Sequence, residues 1–89
     1  MNENTYEATV DLSTIELIKE FTYITMYMPE AMDLTDGRYK VDAKSILGIL
    51  SLNIMQPLKL TIYADESRVK EIERKLGKFI RRGNEQGLH

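Results

Sequence analysis

The spacing of apolar residues changes between residues 58 and 80, and this change constrains the fold more than any other feature of the chain. Apolar residues first occupy alternate positions, as in a strand with one buried face. These residues are Leu58, Leu60, Ile62 and Ala64. The spacing then becomes helical, with charged residues between the apolar ones. The helically spaced residues are Val69, Ile72, Leu76, Phe79 and Ile80, and Gly83 follows as the predicted C-terminal cap.

The first third of the chain predicts a strand followed by a helix. Residues 5–12 alternate in polarity, which is typical of a half-buried strand. Ser13 and Glu16 then match a capping box, in which each side chain satisfies the other residue's backbone N–H. The predicted helix extends to about Tyr27, ahead of Pro29. Its predicted inner face consists of Ile15, Ile18, Phe21 and Thr25.

That helix prediction conflicts with local composition. The segment 21–27 is rich in β-branched and aromatic residues, which lose rotamer freedom in a helix and favour strands. The capping box at its start and the proline after it favour the helix.

The middle of the chain predicts a hairpin and a short helix. Residues 32–35 and 38–41 flank Asp36-Gly37, a dipeptide that suits a tight turn. A short apolar helix is expected over residues 45–52. The resulting order, β-α-β-β-α-β-α, predicts an α+β fold with three helices on one face of a four-stranded antiparallel sheet.

Size and composition predict one globular domain. The chain has 89 residues, of which 43% are hydrophobic and 29% charged, and this suits a single domain over residues 1–89 with a flexible tail at 83–89. The sequence contains no cysteine, which excludes disulfides and thiolate metal sites. It has no metal-ligand spacing and no glycine-rich phosphate loop, so neither a metal nor a cofactor is expected.

The charge balance and hydropathy exclude further classes of function. Lys and Arg total 12 against 14 Asp and Glu. A protein that binds nucleic acid needs a surplus of basic residues to neutralise the phosphates, so nucleic acid is not an expected partner. No apolar run approaches the roughly 20 residues of a membrane span. The polar N-terminus lacks the order of a signal peptide, so we expect a cytoplasmic protein.

One segment carries a family resemblance. The run Val41-Asp42-Ala43-Lys44-Ser45-Ile46-Leu47-Gly48-Ile49-Leu50-Ser51-Leu52 resembles the second-helix signature of HPr, the phosphocarrier of the bacterial sugar phosphotransferase system. The strand at 58–64 and the acidic start of the last helix continue the similarity. The resemblance implies the HPr-like open-faced sandwich, which has the element order predicted above.

The resemblance also implies where a phosphocarrier would carry its phosphate. HPr proteins use a histidine at the start of the first helix, beside an arginine and a proline. Counting back from Ser45, these positions hold Thr14, Glu16 and Leu17, and the one histidine of the chain is His89. A carboxylate in place of the guanidinium would repel a phosphoryl group. We therefore expect a non-catalytic protein without phosphocarrier activity, similar to HPr relatives of the Crh type.

Ser45 aligns with a serine that a dedicated kinase phosphorylates in many HPr proteins to control carbon catabolite repression. A phosphate there would gain from the helix N-terminus and from the neighbouring Lys44. The alternative interpretation is that Ser45 only caps the helix. The sequence leaves both open.

The short second helix carries more apolar residues than one buried stripe needs. These residues are Ile46, Leu47, Ile49 and Leu50. The resemblance implies that Lys44, Ile46, Leu47 and Leu50 dock protein partners, such as HPr kinase or a transcriptional regulator. The alternative is that all four apolar residues are core, in one chain or in a dimer, so both a monomer and a homodimer are considered.

Three functions follow from these observations. The favoured one is a regulatory or adaptor module related to HPr. The second is a working phosphocarrier of the phosphotransferase system. The third is a self-associating structural domain whose apolar second helix is the contact surface.

Overall fold

Four strands form one antiparallel sheet in the computed structural model, which describes residues 4–81. The strands are β1 (Thr5–Val10), β2 (Met32–Thr35), β3 (Lys40–Asp42) and β4 (Leu58–Tyr63). Their order across the sheet is β1-β4-β2-β3, and every neighbouring pair is antiparallel. β4, the last of the described strands along the chain, therefore lies between β1 and β2.

Three helices complete the described fold. They are α1 (Ile15–Thr25), α2 (Ile46–Leu50) and α3 (Val69–Leu76), and 3₁₀ turns at Glu66–Arg68 and Gly77–Phe79 flank α3. The element order and the α+β fold agree with the prediction. No helix in residues 4–81 is long and apolar enough to cross a membrane.

The core lies between the helices and one face of the sheet. The alternating residues of β4, which are Leu58, Leu60 and Ile62, are fully buried. They share one cluster with buried residues from every helix, namely Ile18 and Phe21 of α1, Ile49 of α2, and Ile72 and Leu76 of α3. The Phe21 and Phe79 rings meet edge to face with their centroids 5.3 Å apart.

Several predicted boundaries were wrong by a few residues. β1 ends at Val10, α1 ends at Thr25 rather than at Tyr27, and α2 has five residues instead of spanning 45–52. The C-terminal cap at Gly83 and the tail at 83–89 lie outside the described residues.

Ile15 was assigned to the inner face of α1, and this assignment was wrong. It is 48% exposed, whereas the buried stripe consists of Ile18, Phe21, Thr22 and Thr25. Side chains in a helix lean towards its N-terminus, so the first residue projects beyond the part of α1 that covers the sheet.

The helix forms despite its β-branched residues because the buried threonines satisfy their hydroxyls within it. Thr22 Oγ1 donates to the carbonyl of Ile18 at 3.0 Å, and Thr25 Oγ1 donates to the carbonyl of Thr22 at 3.4 Å. Burying a hydroxyl without a partner would be costly, and these bonds remove that cost.

Asp36 anchors the β2–β3 hairpin. Its Oδ1 accepts hydrogen bonds from the backbone N–H groups of Arg38 at 2.8 Å and Tyr39 at 3.0 Å. Its Oδ2 accepts from the N–H of Asn53 at 2.9 Å, which ties the turn to the loop before β4. Bonds from Tyr39, Asn53 and Arg38 together lower the pKa of the Asp36 carboxyl to about 2. Gly37, with φ of 96°, supplies the left-handed residue that the turn needs.

We predict that Asp36→Asn lowers the melting temperature at neutral pH, because an amide cannot accept hydrogen bonds through both of its terminal atoms. The folded-state pKa lies below the ordinary value of 3.8, so the carboxylate stabilises the fold above that pH and loses this effect as the pH falls towards 2. The difference between wild type and variant should therefore shrink over that interval, as measured by circular dichroism melting.

The control is Asp42→Asn, because that carboxylate accepts from one described backbone N–H, that of Lys44 at 2.9 Å. Its loss should be smaller. Equal losses in the two variants would contradict an anchoring role for Asp36.

Candidate functional site

The start of α1 is the position where the family resemblance places the phosphorylated histidine. Thr14 is the N-cap of this helix, and its Oγ1 accepts a hydrogen bond from the N–H of Leu17 at 3.1 Å. The predicted capping box of Ser13 and Glu16 was therefore wrong. Because the cap lies one residue later, its third helical position is Leu17, which has no side-chain acceptor to complete a box.

The N–H of Ser13 is satisfied by a different carboxylate. Asp11 Oδ1 accepts it at 3.1 Å, while Glu16 lies exposed in the first turn. Leu17, at the expected proline position, packs against the core. The start of α1 thus offers a hydroxyl engaged in a cap and two carboxylates. His89 lies outside the described residues.

These side chains suit a helix end better than a phosphoryl-transfer centre. A phosphohistidine site requires an imidazole nucleophile, and donors or cations around the transferred group. Thr14 supplies no imidazole, and Asp11 and Glu16 add negative charge, which stabilises a helix N-terminus but opposes phosphate.

We predict that Thr14→Ala destabilises the protein by about 1 kcal/mol, because the N–H of Leu17 loses its acceptor. Ser13→Ala should cost less than about 0.5 kcal/mol, the usual range for a substitution outside such a bond. Urea unfolding measures both. A larger loss of stability in Ser13→Ala than in Thr14→Ala would mean that Ser13 caps the helix, as in the predicted capping box.

The start of α2 holds the candidate phosphorylation residue. Ser45 is the N-cap of α2, and its Oγ accepts from the N–H of Gly48 at 3.0 Å. A side chain at Gly48 would place its Cβ 3.2 Å from both Ser45 Oγ and Val41 Cβ, so the close approach favours glycine. The structure gives Ser45 the capping role, and its phosphorylation stays a prediction.

The apolar residues of α2 divide between the core and the solvent. Ile49 is fully buried, whereas Leu47 is 80% exposed and Ile46 and Leu50 are each 42% exposed. The interpretation that places all four residues in the core of one chain was wrong. A helix of about one and a half turns presents only one of its faces to the sheet. We call Ile46, Leu47 and Leu50 the apolar surface of α2.

Lys44 has a structural contact that the sequence did not predict. Its Nζ donates to the backbone carbonyl of Met28 at 2.7 Å, in a partly buried setting. This bond ties the start of α2 to the loop that follows α1. It also brings a positive charge near the C-terminal end of α1, whose own last turn has no basic residue. Lys44 therefore holds the two helices together.

A partly buried ion pair anchors the same loop to the segment before α3. Glu30, 8% exposed, accepts a hydrogen bond from Nε of Arg68 in the 3₁₀ turn before α3. This bond, more than the nearby charges of Arg68 and Lys44, lowers the pKa of Glu30 despite its burial. The other carboxylate oxygen of Glu30 has no partner among the described residues.

The sequence did not predict a second exposed apolar stripe, which lies at the end of α1 and in the turn that follows it. Tyr23, Met26 and Tyr27 are 64%, 60% and 69% exposed, and the two tyrosine rings meet edge to face at 5.5 Å. Their spacing of three and four residues was a usable signal, because positions so spaced share one face of a helix.

A solved structure with this fold is the crystal structure of HPr-C-His from Thermoanaerobacter tengcongensis. It is 28% identical to this chain, covers 86% of this chain and 97% of its own, and superimposes with a TM-score of 0.55. This similarity supports an HPr-like family, as the resemblance of residues 41–66 implied. Neither a protein-family model nor a curated protein matches the sequence.

Proposed function

We propose that this protein is a regulatory or adaptor module of the HPr type that lacks histidine phosphocarrier activity. In this proposal, it binds a protein partner through the apolar surface of α2, and phosphorylation of Ser45 controls that binding. The module is not an enzyme and acts in the cytoplasm.

The exposure of the apolar surface of α2 carries the proposal. Leu47 is 80% exposed at the second position of a helix whose N-cap is Ser45. Contiguous apolar residues on a small domain usually mark a contact site for another protein. A phosphate on Ser45 would add about −1.5 to −2 charges beside these residues and would change which partner they accept.

The start of α1 supports the loss of phosphocarrier activity. Thr14 stands where the resemblance places the histidine, and its hydroxyl is engaged in the helix cap. HPr relatives of the Crh type likewise lack that histidine, keep the serine and serve regulation. This chain departs from them at Glu16 and Leu17, where they have arginine and proline, so its partner need not be theirs.

The partners that fit this proposal are an HPr kinase and a transcriptional regulator of carbon catabolite repression. Both would meet the side of the molecule that carries Ser45 and Leu47. Lys44 holds the start of α2, because its Nζ donates to the carbonyl of Met28 at 2.7 Å, and its two other N–H donors can contact a partner.

We predict that purified HPr kinase and ATP add one phosphate to the protein, as read by intact mass. Ser45→Ala should abolish the addition. Ser51→Ala is the matched control, because Ser51 lies at the other end of α2 and its Oγ donates to the carbonyl of Gly48 at 2.6 Å. No mass change in the wild type, or an unchanged addition in Ser45→Ala, would reduce Ser45 to a helix cap.

The same assay tests the docking surface. Leu47→Asp should lower the kinase kcat/KM by at least about tenfold, since apolar anchors at the centre of an interface carry most of its binding energy. The melting temperature should stay unchanged, because Leu47 is mostly exposed. An unchanged kcat/KM would exclude α2 from kinase docking.

We predict that Enzyme I and phosphoenolpyruvate leave the protein without an acid-labile phosphate, because position 14 offers no imidazole. The measurement is phosphate incorporation before and after mild acid treatment. A labile phosphate that disappears in His89→Gln would instead support a working phosphocarrier that uses the C-terminal histidine.

A further inference from the structure

A groove lies between the outer face of α1 and the start of α2. Its volume is about 440 Å³, which is within the range of pockets that hold small organic ligands. The residues that line it are Lys19, Thr22, Tyr23, Met26, Lys44 and Ile46. The groove reaches the apolar surface of α2 only at Ile46.

The walls of the groove are apolar. Tyr23, Met26 and Ile46 are 64%, 60% and 42% exposed, so each has surface left to bury against a ligand. The ring of Tyr23 is supported by its edge-to-face contact with Tyr27. An aromatic ring can pack against these side chains in the arrangements that aromatic pairs prefer.

Thr22 adds no free hydroxyl to the groove. Its Oγ1 lies 3.0 Å from the carbonyl oxygen of Ile18 and 3.2 Å from that of Lys19, so the hydroxyl donates within the helix. The residue is 7% exposed and forms the floor.

Among the described residues that line the groove, the charged groups are two lysines, without a carboxylate. Lys44 Nζ is fixed by the carbonyl of Met28 and keeps two further N–H donors. A cation held in place before binding loses little freedom when a ligand arrives. Lys19 makes no ion pair within residues 4–81. Glu30 is hydrogen-bonded to Arg68, and this bond, helped by the charge of Lys44, lowers the pKa of the Glu30 carboxyl.

We propose that this groove binds a small amphiphilic anion, with an apolar body of about two fused rings and one carboxylate or sulfonate. The body packs against Tyr23, Met26 and Ile46. The acid group accepts hydrogen bonds from Lys44 and Lys19, and bonds between charged groups are the stronger class. A bound ligand would cover Ile46 and so compete with a protein docked on α2. The site itself does not depend on Ser45 or on any partner.

The test is a titration of the full-length protein with 2-naphthoate, followed by two-dimensional proton–nitrogen NMR. The backbone amides of Tyr23, Met26, Lys44 and Ile46 should shift saturably. 2-Naphthamide, which has the same ring system without the charge, should bind at least about tenfold more weakly, because a charge-assisted bond is replaced by a neutral one.

Two lysine variants test which side chains contact the acid group of the bound ligand. Lys19→Met should weaken 2-naphthoate binding about twofold to fivefold, as expected for the loss of one exposed charged contact. Lys44→Met should weaken it at least as much, with a melting curve as the check on folding, because the variant also loses the bond to Met28. Lys59→Met is the control, since Lys59 pairs with Glu7 at 3.4 Å in the strands β4 and β1, away from the groove.

Equal affinity for 2-naphthoate and 2-naphthamide would overturn the proposal, because the groove would then be an apolar patch indifferent to charge. The absence of saturable shifts, or saturable shifts centred on Leu47 and Leu50, would overturn it as well. The assay contains neither kinase nor partner protein, so its outcome is separate from that of the Ser45 experiment.

Discussion

The burial of one face of β4 is the constraint on which the rest of the structure depends. This strand is the last one within residues 4–81 and lies inside the sheet, so it is paired on both edges. Leu58, Leu60 and Ile62 are fully buried, and each contributes about 1.5–3 kcal/mol through the surface it removes from water. All three helices supply buried residues to the cluster around them. The places of α1 and α2, and therefore of both candidate sites, follow from covering this face.

Polar contacts then fix the segments that the core does not hold. Asp36 ties the hairpin turn to the loop before β4, Lys44 ties α2 to the end of α1, and Glu30 ties the following loop to Arg68. In each contact a charged side chain meets a backbone group or an opposite charge from a distant segment, which makes it stronger than a neutral hydrogen bond. Because these contacts fix the backbone, the exposed apolar side chains near α1 and α2 hold defined positions although they are not part of the core.

The two candidate sites illustrate that a fold and its chemistry are separable. The structure has the sheet and helices of an HPr-like protein, yet the start of α1 presents Thr14, Asp11 and Glu16 rather than a phosphoryl acceptor with cations. The start of α2 has a serine at the cap and exposed leucines beside it. The stability of α1 does not require a reactive residue at its start, because Thr14 caps the helix there.

The sequence by itself determined the order of the elements, the buried face of β4, the buried stripe of α3 and the lack of a histidine near α1. These features are encoded within a few neighbouring residues, by spacing and turn chemistry. The tertiary structure alone decided the strand order, which of Ile46, Leu47, Ile49 and Leu50 faces the core, and the role of Lys44. The last two depend on contacts between distant segments: the Lys44 ammonium bonds to a carbonyl 16 residues earlier. Even the cap of α1 lies one residue after the predicted position, at Thr14 instead of Ser13.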